Sequence, residues 1–198
     1  MYSEGNLTAF ILCGGKSKRM EKEKGIISFE GMPFVLCIIN ALKPITNNIK
    51  LITGNNIYRQ FGYPLKADIY PDKGPVGGIF TALSYSETDI NLILSCDIPL
   101  ITTEILKILL FQHEQTQSKI TIAEGEKRAH PLIGIYSKEV IPTFKACIQD
   151  NELKLFNAIK KCTFNTIKIE EAAALKNVNT VQELNELTKI SNNETKNE

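Results

Sequence analysis

Apolar and polar positions along this chain follow two alternating patterns. Short, nearly continuous apolar or β-branched runs occupy 7–12, 49–53, 91–95, 120–123 and 132–136. Runs of this length, bounded by polar residues, read as strands covered on both faces. Between them apolar residues recur at helical spacing, first as Val35, Ile38, Ile39 and Leu42, later as Ile105, Leu106, Ile108 and Leu109. Thr102 or Thr103 can cap the start of the second stripe. Another helix is expected to start near Ile79. The stretch 144–175 reads as mainly helical with one further strand at 165–169. A last helix, about 181–187, follows Asn177-Val178-Asn179-Thr180. Such alternation predicts an α/β fold: a mostly parallel sheet with helices on both faces. With no internal repeat or linker, residues 1–190 read as one domain. The all-polar 191–198 reads as a disordered tail.

Composition narrows the function classes. The 198 residues carry 23 Lys and Arg against 22 Asp and Glu, a net charge of +1. No bulk electrostatic footprint points to nucleic acid or a membrane surface. No apolar run approaches the ~20 residues that span a bilayer, and the N-terminus lacks the pattern of an export signal. Five cysteines, Cys13, Cys37, Cys96, Cys147 and Cys162, form no CxxC pair and are odd in number. That disfavours a zinc site or disulfide framework and suggests reduced thiols in a cytoplasmic protein.

In a sheet of this kind functional residues are expected at the carboxyl ends of strands. The first strand runs into Leu12-Cys13-Gly14-Gly15-Lys16-Ser17-Lys18-Arg19-Met20, with Lys24 close behind. Adjacent glycines let backbone N–H groups approach a ligand, and the cations offer counter-charge, which suits phosphate. A plain basic surface turn remains the alternative, since the pattern is neither a Walker A loop nor GxGxxG. The strand 91–95 stops at Ser95-Cys96-Asp97-Ile98-Pro99. Asp97 is placed either to hold a divalent cation together with phosphate oxygens or to form a turn before Pro99. Tyr70-Pro71-Asp72-Lys73-Gly74-Pro75-Val76-Gly77-Gly78 reads as a stiff loop before a helix. There Asp72 can accept bonds from a base or ribose, and the N–H groups of Gly77 and Gly78 can meet a polar ligand edge; a tight turn with a solvated Asp72 is the alternative. Arg128 and His130, before the strand 132–136, can contact an anionic second substrate. No nucleophile accompanies either histidine, so no acyl-transfer triad is expected. His113 falls in a polar stretch of its helix and carries no functional expectation.

Taken in order, these residues resemble the molybdenum cofactor guanylyltransferases, whose signature reads roughly LAGGxSxRMGxDK. The run from Leu12 to Met20 with Lys24 matches it. Asp72…Gly74-Pro75…Gly77-Gly78, Ser95-Cys96-Asp97-Ile98-Pro99, His130-Pro131-Leu132 and Asn177-Val178-Asn179-Thr180 follow in the family's order. The resemblance covers about 7–188. Three positions depart from the pattern: Cys13 for Ala, Glu21 for Gly and Glu23 for Asp, with the spacing to Lys24 intact.

The resemblance implies a Rossmann-like, glycosyltransferase-A-like nucleotidyltransferase fold. It also implies transfer of GMP from GTP to molybdopterin, with Mg2+ as cofactor. By the same resemblance Leu12, Cys13, Gly14, Gly15, Thr53, Asp72 and Gly77 contact the nucleotide, while Lys24 and Arg19 face its phosphates. Asp97 holds the metal, and Arg128 and His130 meet the pterin substrate. Cys-Gly-Gly and Asp-Ile-Pro, in place of the Ala-Ala-Gly and Asp-Gln-Pro of CTP-using relatives, favour GTP. A CTP-using or sugar-phosphate nucleotidyltransferase, and a non-catalytic GTP-binding protein of cofactor assembly, are the alternatives. Other maturation proteins of the molybdenum cofactor are expected partners.

Overall fold

The computed structural model describes residues 6–14, 23–180, 182–183 and 185. Lys16, Lys18 and the expected site residues Gly15 and Arg19 lie outside the described residues, as do Glu21 and the polar tail 191–198.

Among the described residues seven strands form one sheet: β1 (Leu7–Leu12), β4 (Ile49–Ile52), β5 (Leu65–Lys66), β6 (Ile90–Ser95), β7 (Ile120–Glu124), β8 (Ala129–Ser137) and β9 (Phe164–Lys168). Their order across it is β5-β4-β1-β6-β8-β7-β9. Only β8 runs against its neighbours, pairing antiparallel with both β6 and β7. The central strand β1 is buried along its whole length, as its apolar run predicts. Helices α1 (Phe34–Leu42) and α3 (Thr103–Glu114) cover one face, packing Val35, Ile38, Ile105 and Leu109 against alternate strand residues such as Ile11 and Leu94. Helices α2 (Gly74–Ser84), α4 (Ile141–Gln149) and α5 (Leu155–Lys160) cover the other, over Phe10, Leu12 and Ile93. The three-layer sandwich with a mostly parallel sheet is the expected architecture.

Several elements differ from the pattern reading. Helix α2 begins at Gly74, not near Ile79. Gly77 and Gly78 therefore lie inside a helix, and the Gly77 N–H donates to Lys73 O at 3.2 Å instead of standing free. These glycines serve close packing. A Cβ on Gly78 would sit 3.3 Å from Leu12 Cδ1, and one on Gly77 would sit 2.7 Å from Lys73 Cβ. Thr102 caps α3, its hydroxyl accepting Ile105 N–H. Within that helix the apolar stripe is narrower than expected, because Ile108 is exposed. His113 is buried, not on a polar face, and its Nδ1 lies 2.7 Å from Thr121 Oγ1. Burial lowers its pKa.

The β5 edge and a two-stranded hairpin, β2 (Ser28–Phe29) and β3 (Met32–Pro33), carry too few residues to show a period. The hairpin turns on Glu30 and Gly31, both at positive φ, as a two-residue hairpin connection requires. Its Phe29 joins Ile27, Phe34 and Val178 in a small separate core that ties the C-terminal segment to this corner.

Candidate active site

The chain leaves β1 toward β4 on one side and leaves β6 toward β8 and β7 on the other. Between two such strands loops diverge and open a crevice at the carboxyl edge. Leu12 and Ser95 are register partners at that edge, and Cys96 N–H donates to Leu12 O at 3.2 Å. A cleft of about 460 Å3 opens there, lined by Leu12, Gly14, Lys24, Asp68, Gly78 and Asp97 among others. Its size suits a small-molecule ligand. A second cleft of about 350 Å3 adjoins it, reaching Arg128, His130, Asn177 and Asn179. The two share Pro75, Ser95 and Leu132.

Asp97 lines the first cleft, hydrogen-bonded to Ser95, which lines both. Its Oδ1 accepts from Ser95 Oγ at 2.6 Å and from Asn177 Nδ2 at 2.7 Å. Its Oδ2 accepts from Lys24 Nζ at 2.9 Å. Lys24 Nζ also donates to Asn179 Oδ1 at 2.5 Å. Both asparagines are placed by Val178. Its side chain is buried in the small core and its N–H donates to Asp97 O at 2.8 Å. In an extended segment the flanking residues then point the opposite way, toward Asp97 and Lys24. Thr180 and Glu183 lock the segment: Glu183 accepts the N–H groups of Asn179 and Thr180, and Thr180 Oγ1 accepts Glu183 N–H. This is a capping box for the helical residues that follow.

Lys24 opens a 3-10 turn, Lys24–Ile26. Gly25 behind it is buried under Tyr58, where a Cβ would lie 2.8 Å from the tyrosine oxygen. Only glycine lets the turn seat so close to Tyr58.

The expected site residues fall into three groups. Leu12, Gly14, Lys24, Asp72 and Asp97 line the first cleft. Arg128 and His130 line the second, where burial and then the Arg128 charge lower the pKa of His130, against an opposing hydrogen bond to Asn177. Cys13, Thr53 and Gly77 are not among the lining residues. Cys13 turns into the core beside Cys96, and burial holds its thiol pKa well above the usual value. Thr53 is buried, its hydroxyl accepting Asn55 N–H and its own N–H donating to Lys66 O. Ile52, one residue earlier, reaches the cleft instead.

Three residues given no role from sequence stand out. Asn177 and Asn179 were visible only as part of a motif. Asp68 lies at the exposed rim of the first cleft, and partial burial there raises its carboxyl pKa against the pull of the Thr81 hydroxyl. It precedes the proline-glycine loop, a signal overshadowed by Asp72.

Asp97 is a single carboxylate with its side chain 10% exposed. No group of three or more His, Cys, Asp or Glu able to hold a metal occurs among the described residues. One carboxylate facing a ligand cleft fits a cation that completes its shell from substrate phosphates and water. No helix among the described residues is long and apolar enough to cross a membrane.

Comparison with known proteins bears on the family and the fold. A protein of Flavobacterium johnsoniae named "probable molybdenum cofactor guanylyltransferase" is 50% identical over 183 residues, covering 91% of this chain and 96% of its own. A molybdenum cofactor guanylyltransferase of Polynucleobacter asymbioticus is 31% identical over 192 residues, covering 93% and 96%. The crystal structure of molybdopterin-guanine dinucleotide biosynthesis protein A from Archaeoglobus fulgidus shares the fold at a TM-score of 0.82 and 17% identity, covering 94% of this chain and 99% of that one. The family model of the MobA-like NTP transferase domain matches residues 9–162. With a cleft at the divergence of β1 and β6, and with these relatives, the chain belongs to the MobA-like NTP transferase family.

Proposed function

We propose that this protein transfers GMP from GTP to the terminal phosphate of molybdopterin, forming molybdopterin guanine dinucleotide and pyrophosphate. The observation that carries this reading is that Asp97 and Lys24 line the first cleft while bonded to Asn177 and Asn179, which line the second. One cleft is then available for the nucleotide and the other for the acceptor. The substrates themselves come from the names of the relatives.

In this reading Leu12, Gly14 and Gly78 pack against the nucleoside, while Asp68 and Asp72 accept hydrogen bonds from its hydroxyls or base donors. The N-terminal turn of α2, whose Gly74 and Pro75 line the cleft, turns its positive end toward anionic groups. Lys24 neutralises the phosphate chain. Asp97 holds Mg2+, which supplies charge neutralisation at the phosphates. Ser95 and Asn177 fix the orientation of the Asp97 carboxylate. Arg128 and His130 offer the acceptor cleft a cation and a hydrogen-bonding ring.

An oxygen of the acceptor phosphate bonds to the α-phosphorus of GTP. The bond from that phosphorus to the bridging oxygen of the β-phosphate breaks, and pyrophosphate leaves with the electron pair. A phosphate monoester is already largely ionised at neutral pH, so no strong general base is required. The residues act by positioning two anions and neutralising their charge.

The test is pyrophosphate release with Mg2+ and molybdopterin, comparing GTP with CTP. Release with GTP alone is expected. Release with CTP moves the protein to the cytidylyl reaction, and tight GTP binding without release moves it to a carrier role.

A further inference from the structure

Both oxygens of Asp97 accept from protein donors. Oδ1 takes the Ser95 hydroxyl and the Asn177 amide, and Oδ2 takes the Lys24 ammonium. The three donors differ in how easily they can be exchanged. Ser95 is the last residue of β6, and Asn177 is held by the buried Val178. Both are neutral and attached to fixed backbone. Lys24 carries its charge on a flexible four-carbon stem, with three donors that can be redirected. Its side chain is 20% exposed, against 10% for Asp97, so the pair is sheltered without being sealed.

We propose that Lys24 is an internal stand-in for the divalent cation, neutralising Asp97 in nucleotide-free protein and leaving Oδ2 only when a nucleotide supplies other acceptors. The proposal rests on the reading of Asp97 as the metal-holding residue. Lys24 lines the same cleft as Asp97, so phosphate oxygens arriving there compete for its ammonium. Once the ammonium turns to them, Asp97 is left as an uncompensated carboxylate in a partly dehydrated site. That site then attracts a divalent cation far more strongly than before. Without nucleotide, a cation must displace Lys24 from Asp97, while Asn179 Oδ1 continues to accept from its ammonium. Lys24 thus couples metal to nucleotide and keeps the site from filling with metal alone.

The probe is Mn2+, titrated into nucleotide-free protein and followed by the electron paramagnetic resonance of the free ion. Wild type is expected to bind it weakly. Lys24→Met keeps the stem and removes the charge, and is expected to bind Mn2+ at least about tenfold tighter, since one charge-assisted contact no longer competes. Lys24→Gln carries the same expectation, so either variant that folds decides the matter. Lys24→Arg, still cationic, is expected to bind as weakly as wild type. Adding Asp97→Asn to Lys24→Met is expected to abolish the gain, locating it at Asp97.

Equilibrium dialysis of GTP-loaded protein separates the two layers of the argument. If Asp97→Asn loses Mn2+ there but Lys24→Met and Lys24→Gln bind it no tighter than wild type without nucleotide, the stand-in role is overturned and the metal assignment survives. If Asp97→Asn retains Mn2+ with GTP bound, the metal assignment itself is overturned.

Discussion

Replacing Ser95 with Ala tests how much of the site depends on the orientation of one carboxylate. Ser95 is buried, and its hydroxyl donates to Asp97 Oδ1 at 2.6 Å. A hydrogen bond to a charged group contributes about 1.5–3 kcal/mol net. The folded protein feels only part of that loss, because Asn177 Nδ2 still donates to the same oxygen at 2.7 Å. The stability cost should therefore lie near ~1 kcal/mol, a fall in Tm of about 2–4 °C for a chain of this size.

Catalysis depends on where the carboxylate points, and losing a group that orients a metal ligand typically costs about 10–100-fold in affinity or activity. The assay is pyrophosphate release at varied GTP and Mg2+, beside a thermal melt. Expected are a raised Mg2+ requirement and kcat/KM lowered about tenfold or more, with the fold intact. Asn177→Ala should act in the same direction. The double variant leaves Oδ1 with neither donor, so its loss should exceed the sum of the two by roughly 0.5–3 kcal/mol. Activity within twofold of wild type at every Mg2+ concentration would refute the idea that Ser95 positions Asp97.

Gly134→Ala should lower stability by about 1–3 kcal/mol through overpacking, because its Cβ would lie 2.7 Å from Thr121 O and 2.8 Å from Ile122 Cγ2; a urea midpoint equal to wild type would refute this. Asp68→Ala should raise KM for GTP more than it lowers kcat, and an unchanged KM would remove Asp68 from the nucleotide site. Burial lowers the pKa of both His113 and His130 in the folded protein, so below the unfolded histidine value of about 6.5 the unfolded chain binds more protons. Stability should therefore fall as pH drops from about 7 toward 5 in urea titrations, and His113→Asn should flatten that dependence. Asp68, with its raised carboxyl, acts in the opposite sense at lower pH.

Much of this protein was legible in the chain because the signals are local. Buried parallel strands need continuous apolar runs, and 7–12 and 91–95 show them without ambiguity. Cap chemistry is equally local: Thr102-Thr103 marks the start of α3, and the structure makes Thr102 the cap. The two residues at the centre of the site, Lys24 and Asp97, were also readable, Asp97 because it closely follows the apolar run 91–95 and Lys24 because it closes the cation-rich stretch after the run 7–12. Helix α2 was misplaced because its first turn is Gly74-Pro75-Val76-Gly77-Gly78, whose composition reads as a loop. The glycines are tolerated there because Leu12 and Lys73 leave no room for side chains.

What the sequence by itself determined is the order of the longer elements, the covered sheet and the chemistry available at the strand ends. These follow from continuous apolar runs, from the 3.6 period and from side-chain functional groups. The tertiary structure alone decided which groups meet. Asn177 reaches Asp97 across 80 positions, and Asn179 reaches Lys24 across 155. No local propensity encodes such pairs. They exist because the buried Val178 anchors the C-terminal segment beside the hairpin. Packing also turned Cys13 and Thr53 away from the cleft and brought Asp68 to its rim, since the direction of a side chain at a strand end is set by the layer it must fill.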